Sequence, residues 1–371
     1  MGRLFGQAIY RCEITPSILV ELLDEVVEQK AVAVFILCCD ASFEHNSDFD
    51  EILIRQKIKI FGGIFPNILV NEDIKDKGVL VVPVFEDIEV TIFSKLSQLE
   101  SSDYQPAFNI NNADSFMVLV DGFASHIDLA LTQLLHQLGD ESTFFGGGVG
   151  SLSLQQKPCL FTNQGVLVDA MTIISLKQPW RLAVGHGWDV FAGPFLVTKV
   201  HGNRIEQLNF QPASDIYRQA TGLMGVDDAD IFSVISSYPF GLERLDDDYL
   251  VRSVIAMTDS SLTCLNSIAE NTLVYILKGD TKSLVDAAVA SVEKKVAQQN
   301  LDIAILFDCV SRHHFLQDQF GDELTGIKEG IGADTVLFGA LVFGEIASGS
   351  CGNIHFYNKT AVTAFLQNEG E

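Results

Sequence analysis

The stretch FFGGGVGSLSL, residues 144–154, places four glycines within five positions after two phenylalanines. A phosphate-binding glycine loop follows a strand and precedes a helix, because the amides and the dipole at the helix N-terminus face the anion. Here a predicted helix precedes the glycine loop and a strand follows it, and neither common phosphate-binding motif is complete. This order argues against a nucleotide site. We expect Gly146, Gly147 and Gly148 either to allow close backbone packing or to lie against a ligand.

Around these glycines the chain repeats a series of landmarks. A buried strand ends in aspartate, a helix follows, and then come a Phe-Gly-Gly and a strand opening Gly-Val-Leu-Val. These landmarks stand at Asp40, Phe61 and Gly78, and again at Asp121, Phe145 and Gly165. The offsets of 81, 84 and 87 residues predict an internal duplication, whose two glycine pairs would pack together. A looser copy has its strand end at Asp308.

The elements predict an α/β protein of mixed sheets with helices, built from duplicated strand-helix-strand units in two related halves. Single hydrophobic cores usually stop growing at roughly 250–300 residues, and this chain has 371. We therefore expect two domains, at 1–180 and 181–371. Between them, Gly202-Asn203 predicts a hairpin turn and Pro212 the start of a helix.

Composition limits the partners. The formal net charge is −25, from 49 acidic and 24 basic residues, so the surface repels phosphate backbones and anionic lipids. We expect no nucleic-acid partner, no membrane insertion and a cytoplasmic location. The seven cysteines form no CxxC pair, which predicts neither a disulfide framework nor a zinc site.

Three features together resemble the FIST proteins: the doubled Phe-Gly-Gly, the segment AVGHGWDVFAGPFLVTKVHGNRIEQLNFQPASDIYRQ at 183–219, and the ending LVFGEIASGSCGNIHFYNKTAVTAFL at 341–366. The resemblance covers nearly the whole chain. It implies a FIST N-type and a FIST C-type module that sense a small molecule, an amino acid or a related metabolite. The signal would pass to a partner protein, such as a histidine kinase or cyclase acting in trans. The first expectation is a sensor without a cofactor. Because some similar proteins bind haem and sense nitric oxide, the alternative is a haem-binding nitric-oxide sensor.

His186 is a candidate ligand-binding residue. It stands between Gly185 and Gly187 in an apolar segment, which predicts a histidine exposed by its glycine neighbours. Such a residue is a candidate haem ligand, a lining residue of another pocket, or a structural histidine. No Ser-His-Asp order or nucleophile elbow is present, and Cys38-Cys39 lies in an apolar run that suppresses thiol reactivity. We therefore predict that the protein is not an enzyme.

The remaining candidates are charged or polar residues near strand ends. Asp40 and Asp121 either receive a ligand at the carboxyl ends of strands or cap the next helices. Arg181 either binds a ligand carboxylate bidentately or pairs with an acid of the protein.

Three further candidates match positions in the closing motif of the FIST family. These are Glu345, Tyr357 and Asn358. Glu345 either lines a pocket or faces solvent. Asn358 either contributes to the pocket or caps a helix that begins with KTAVTAFL.

Overall fold

The computed structural model describes residues 4–99, 113–223, 234–244, 248–296, 301–349 and 352–367. Within these ranges the helices are α1 (Pro16–Glu28), α2 (Ser47–Arg55), α3 (Ile127–Leu138), α4 (Ala213–Thr221), α5 (Thr281–Val296), α6 (Val310–Leu316) and α7 (Phe320–Ile331). The strands of the first half are β1 (Ile9–Arg11), β2 (Ala33–Cys39), β3 (Lys59–Phe65), β4 (Ile68–Val70), β5 (Asp73–Lys75), β6 (Val79–Val84), β7 (Glu89–Ser94), β8 (Ser115–Asp121), β9 (Thr143–Val149), β10 (Leu160–Thr162), β11 (Gly165–Leu167), β12 (Ala170–Leu176) and β13 (Trp180–Gly185). Those of the second half are β14 (Asp189–His201), β15 (Arg204–Leu208), β16 (Gln211–Pro212), β17 (Phe240–Glu243), β18 (Tyr249–Arg252), β19 (Val254–Met257), β20 (Leu262–Cys264), β21 (Leu273–Lys278), β22 (Leu301–Cys309), β23 (Val336–Val342), β24 (Glu345–Ser348), β25 (Ile354–Tyr357) and β26 (Ala361–Gln367).

The fold is mixed α/β with four sheets, one of them nearly closed into a barrel. Three of the sheets have six strands each, with orders β1-β6-β2-β3-β10-β11, β25-β24-β9-β8-β12-β7 and β13-β26-β22-β23-β4-β5. The fourth has eight strands and includes the β14–β15 hairpin at Gly202-Asn203, as predicted. Helix α4 follows Pro212, also as predicted.

One strand arrangement occurs three times. Strands β2, β8 and β22 are almost wholly buried, and each pairs in parallel with the strand that follows its helix or helices, β3, β9 and β23. Each also pairs antiparallel with a later strand, β6, β12 and β26. Continuous apolar runs suit strands that are covered on both faces. The third occurrence is the looser copy near Asp308.

Short hairpins join the three arrangements into a ring. The β4–β5 hairpin adds to β23, the β24–β25 hairpin adds to β9, and the β10–β11 hairpin adds to β3. Each hairpin therefore extends a sheet other than the one its own flanking strands form. The origin of this pattern by duplication, and the boundary at 180/181, stay predictions.

The glycine-rich stretch is part of a strand, which corrects the prediction of a loop. Gly146 lies within β9, and a Cβ there would be 1.9 Å from the carbonyl oxygen of Val118 on β8. Gly62 and Gly339 meet the carbonyls of Ile36 and Leu306 in the same way, at 2.0 and 1.9 Å. Close backbone approach is confirmed, but the approach is to the parallel neighbour strand and not to the other glycine pair.

The last segment is also a strand. KTAVTAFL forms most of β26, which lies between β13 and β22. The prediction of a helix capped by Asn358 is therefore wrong, because two flanking strands provide backbone partners along the segment. In the part of the chain that the structure describes, no helix is long and apolar enough to cross a membrane.

Candidate functional site

A cleft of about 440 Å³ opens beside helix α5, between the end of β13 and the start of β18. We call it the His186 cleft. Acidic side chains, two lysines, a tyrosine and small residues of α5 contribute to its lining: Asp189, Asp248, Lys294, Lys295, Tyr249, Ala287, Ala290 and Ser291. Trp188 and Val184 add apolar surface. The volume is within the range of roughly 300–1,000 Å³ that small-molecule sites occupy.

The glycines beside His186 bring the chain against α5. A Cβ on Gly185 would lie 2.6 Å from the carbonyl oxygen of Ala287, and one on Gly187 would lie 2.3 Å from that of Ser283. Their effect is close packing, and His186 itself is only 8% exposed. The prediction that the glycines expose the histidine is wrong.

Both ring nitrogens of His186 are hydrogen-bonded. Nδ1 accepts from the backbone N–H of Trp188 at 2.9 Å, so Nε2 carries the proton that it donates to Asp248 Oδ1 at 2.7 Å. The N–H of Tyr249 donates to the same carboxylate oxygen at 2.8 Å. Burial acts to raise the pKa of Asp248, but the hydrogen bonds from His186 and Tyr249 outweigh it and the pKa is lowered. Asp248 therefore stays ionised in the cleft.

This arrangement does not fit His186 as a haem ligand. Iron needs a nitrogen lone pair with an open approach. The Nδ1 lone pair is used by Trp188, and Nε2 holds a proton directed at Asp248. Ligation would break one of these two bonds in a residue that is almost fully buried.

A group of five charged side chains lies behind the cleft, and we call it the buried polar cluster: Asp308, Arg312, Glu323, Glu345 and Lys359. None is more than 1% exposed. Arg312 Nε lies 3.1 Å from both carboxylate oxygens of Glu323, while its Nη1 donates to the carbonyl oxygen of His186 at 2.7 Å. Arg312 thus connects the cluster directly to the backbone of the cleft.

Two carboxyl groups of the cluster each leave one oxygen without a hydrogen-bond partner among the described residues, Asp308 Oδ2 and Glu345 Oε1. Their other oxygens accept from the N–H groups of Cys309 at 2.7 Å and Thr360 at 3.2 Å. Burial raises the pKa of both carboxyls well above their usual range. Glu323 raises that of Asp308 further, and Cys309 that of Glu345. Both groups therefore keep a proton up to a higher pH than an exposed carboxyl does.

Lys359 closes the cluster on the side of the cleft. Its Nζ lies 5.4 Å from the centre of the Trp188 ring, and its carbonyl oxygen accepts from Trp188 Nε1 at 3.3 Å. Burial lowers the pKa of Lys359 to about 8, although Cys309 and Glu345 act to raise it. A single tryptophan therefore separates the cleft from a buried amine.

Family comparison identifies both parts of the chain. Residues 30–211 match the FIST N domain and residues 213–348 match the FIST C domain. The chain belongs to the FIST family. No curated protein matches it significantly.

The His186 cleft combines residues of both FIST domains. His186 and Trp188 lie in the FIST N match, whereas Asp248 and helix α5 lie in the FIST C match. The hydrogen bond between His186 and Asp248 therefore crosses from one domain to the other.

The two strand-end aspartates hold the segment that follows the glycine strand. Asp40 Oδ2 accepts from Ser151 Oγ at 2.9 Å and from the N–H of Leu152 at 3.0 Å. Asp121 accepts from Gln156 at 2.9 Å. Neither caps an α-helix, since the N-cap residues of α2 and α3 are Asn46 and His126.

Other predicted residues lie in neighbouring strands of the FIST fold. Gly147 pairs with Glu345 between β9 and β24, and Glu345 pairs with Tyr357 between β24 and β25. The Tyr357 hydroxyl accepts from Arg244 at 2.6 Å. The structure thus places three predicted positions in adjacent strands.

Gly146 and Gly148 lie on the same buried backbone, and Gly148 N–H donates to the carbonyl oxygen of Gly344 at 2.8 Å. Asn358 accepts from the N–H of Ser253 at 3.0 Å and donates to Asn266 at 2.9 Å. Arg181 is exposed on β13 and is not one of the described residues that line the His186 cleft.

Sequence reasoning missed Asp248, Arg312, Glu323 and Lys359. Asp248 lies in an acidic stretch that is typical of solvated loops. The sequence did contain signals for the cluster. Asp308, at the end of β22, is followed four residues later by an arginine, whereas Glu44 and Ser125 follow Asp40 and Asp121 at that distance. Lys359 sits between two strongly apolar strands, which is an unusual place for a lysine.

Proposed function

We propose that this FIST protein is a non-catalytic sensor that binds a free amino acid in the His186 cleft and reports to a partner protein. The supporting observation is the presence of both acidic and basic side chains in the lining of the cleft. Asp189 and Asp248 line it together with Lys294 and Lys295 of α5. A free amino acid carries the complementary pair, an ammonium and a carboxylate.

The hydrogen bonds of Asp248 leave room for a ligand. Both bonds described above end on Oδ1, and the side chain is 46% exposed, so Oδ2 would be the acceptor for an ammonium group of the ligand. The ligand carboxylate would interact with Lys294 and Lys295. Tyr249 supplies surface for the ligand side chain.

The position between two domains accounts for signalling. A ligand that bridges the His186 segment and α5 contacts both FIST domains at once. It shifts the protein towards whichever domain arrangement it binds more tightly, because a ligand with equal affinity for both shifts nothing. The altered surface would then be read by a partner in trans, such as a histidine kinase or a cyclase.

Thermal unfolding with each of the twenty standard amino acids tests this proposal. A ligand at 100 times its dissociation constant adds roughly 2.7 kcal/mol to the free energy of unfolding. We expect at least one amino acid to raise the melting temperature of the wild type. Asp248→Asn and the double variant Lys294→Gln/Lys295→Gln should lose that increase.

Lys282→Gln is the matched control, because Lys282 lies on the same helix but pairs with Asp286 outside the cleft. It should keep the ligand-induced increase. If no amino acid stabilises the wild type, or if stabilisation survives in both cleft variants, the proposed site is incorrect.

A further inference from the structure

Lys359 lies in an unusual position for a lysine. It is 1% exposed and has a φ of 55°, a left-handed conformation that non-glycine residues seldom adopt. Its backbone and its side chain both contact Trp188, which is itself only 1% exposed. Lys359 thus combines a backbone conformation that costs free energy with a buried amine. This combination indicates that the surrounding structure holds Lys359 there for a purpose beyond packing.

The contact between Lys359 and Trp188 depends on charge. An ammonium is attracted to the negative face of an indole, and this attraction strengthens when both groups are removed from water. A neutral amine has no such attraction. The same tryptophan ring packs at 5.1 Å against Phe315, and Trp188 is part of the cleft lining. The charge of Lys359 therefore acts on a wall of the His186 cleft.

Burial and the charge of Arg312 favour loss of the proton from this amine, whereas Cys309 and Glu345 oppose it. Cys309 at the end of β22 and Glu345 on β24 face it, together with Arg312 on α6. Asp308 and Glu323 lie behind Arg312 and are bound to it or close to it. Burial is the largest influence and disfavours the ammonium, Arg312 adds to it, and the pKa of Lys359 falls to about 8.

We infer that Lys359 is a proton switch on the wall of the His186 cleft. Its ammonium is attracted to the Trp188 ring, and loss of the proton removes this attraction while the hydrogen bond from Trp188 Nε1 to the Lys359 carbonyl oxygen remains. This inference concerns the regulation of the site assigned above to ligand binding. The switch itself operates without a ligand, so it can be tested separately.

Tryptophan fluorescence measures the switch directly. The chain has two tryptophans, so Trp180→Phe leaves Trp188 as the sole emitter. Titrating this variant from roughly pH 6.5 to 9.5, a window about the pKa of Lys359, should give one emission change, with its midpoint near pH 8. Adding Lys359→Arg should abolish the change and leave emission at its low-pH level, because arginine stays charged. Adding Lys359→Met should fix emission at the high-pH level.

Lys282→Arg, on the exposed surface of α5, is the control and should leave the midpoint unchanged. Trp180 is buried, so if Trp180→Phe fails to fold, the difference between wild-type and Lys359→Arg titrations supplies the same comparison. An emission change near pH 8 that persists in Lys359→Arg overturns the inference. A wild-type emission that does not change across this pH range also overturns the inference. Because no ligand is added, a failure of amino-acid binding leaves this result unaffected.

Discussion

The aspartates at the ends of the three central strands use their carboxylates differently. Asp121 accepts N–H bonds on both oxygens, from Phe123 on Oδ1 and from Gln156 and Asp169 on Oδ2. Asp308 accepts only on Oδ1 among the described residues, and burial raises its pKa well above the usual range, which favours the protonated form. Protonated Asp308 resembles asparagine in charge and shape, whereas Asp121 serves as an acceptor only.

Asparagine substitutions separate these two roles. Asp121→Asn places an amide N–H against an N–H donor, and we expect the free energy of unfolding at pH 7 to fall by about 1–3 kcal/mol. Asp308→Asn should change it by less than about 1 kcal/mol. Urea denaturation of both variants is the measurement. A larger loss for Asp308→Asn than for Asp121→Asn would show that Asp308 is ionised in the native state.

The pH dependence of Asp308 and Glu345 follows from the direction of their shifts. A carboxyl whose pKa is raised on folding binds more protons in the native state than in the unfolded state. Its contribution is therefore present at pH values below its unfolded pKa and is lost as pH rises through the folded value. The free energy of unfolding of Asp308→Asn should therefore fall less than that of the wild type as pH rises, because the Asp308 contribution is absent.

At the scale of single elements, the glycines in β3, β9 and β23 set how closely parallel strands approach. Gly146 has a φ of 147° and faces the carbonyl of Val118, so a methyl group there has no space. A methyl group on Gly321 of α7 would have no described atom within 4 Å, and the φ of Gly321 is not positive.

Alanine should therefore lower the free energy of unfolding strongly at Gly146 and change it little at Gly321. We expect Gly146→Ala to lower the free energy of unfolding by about 3 kcal/mol or more, since the strand must move away from β8. Gly321→Ala should change it by less than about 1 kcal/mol. Thermal or urea unfolding of the two variants checks this. A Gly146→Ala protein as stable as the wild type would mean that β8 and β9 are further apart than described.

The elements that were predicted correctly have strong local signals. Helix α4 begins directly after Pro212. Strands β2 and β8 are continuous apolar runs that end at or next to aspartate. KTAVTAFL was misassigned because alanine and leucine favour helices, while the partners that make it a strand, β13 and β22, lie elsewhere in the sequence.

In the molecule as a whole, three hairpins each add to a sheet other than that of their own flanking strands, and this ring brings the site together. The β24–β25 hairpin carries Glu345 and Tyr357 onto the sheet of the glycine strand, more than 190 residues away in sequence. His186 and Asp248 are 62 positions apart in the sequence, and α5 lies further along the chain. Local patterns cannot show such contacts, so the sequence indicated His186 and Glu345 singly and indicated neither the cleft nor the buried polar cluster.

We propose that a small zwitterionic ligand binds in the His186 cleft, between the two FIST domains. This binding can be located by hydrogen–deuterium exchange with and without the amino acid that most stabilises the protein. We expect slower exchange in peptides covering residues 184–189, 248–250 and 281–296. Slower exchange confined to residues 146–150 and the strand ends near Asp40 and Asp121, with residues 184–189 unchanged, would contradict it.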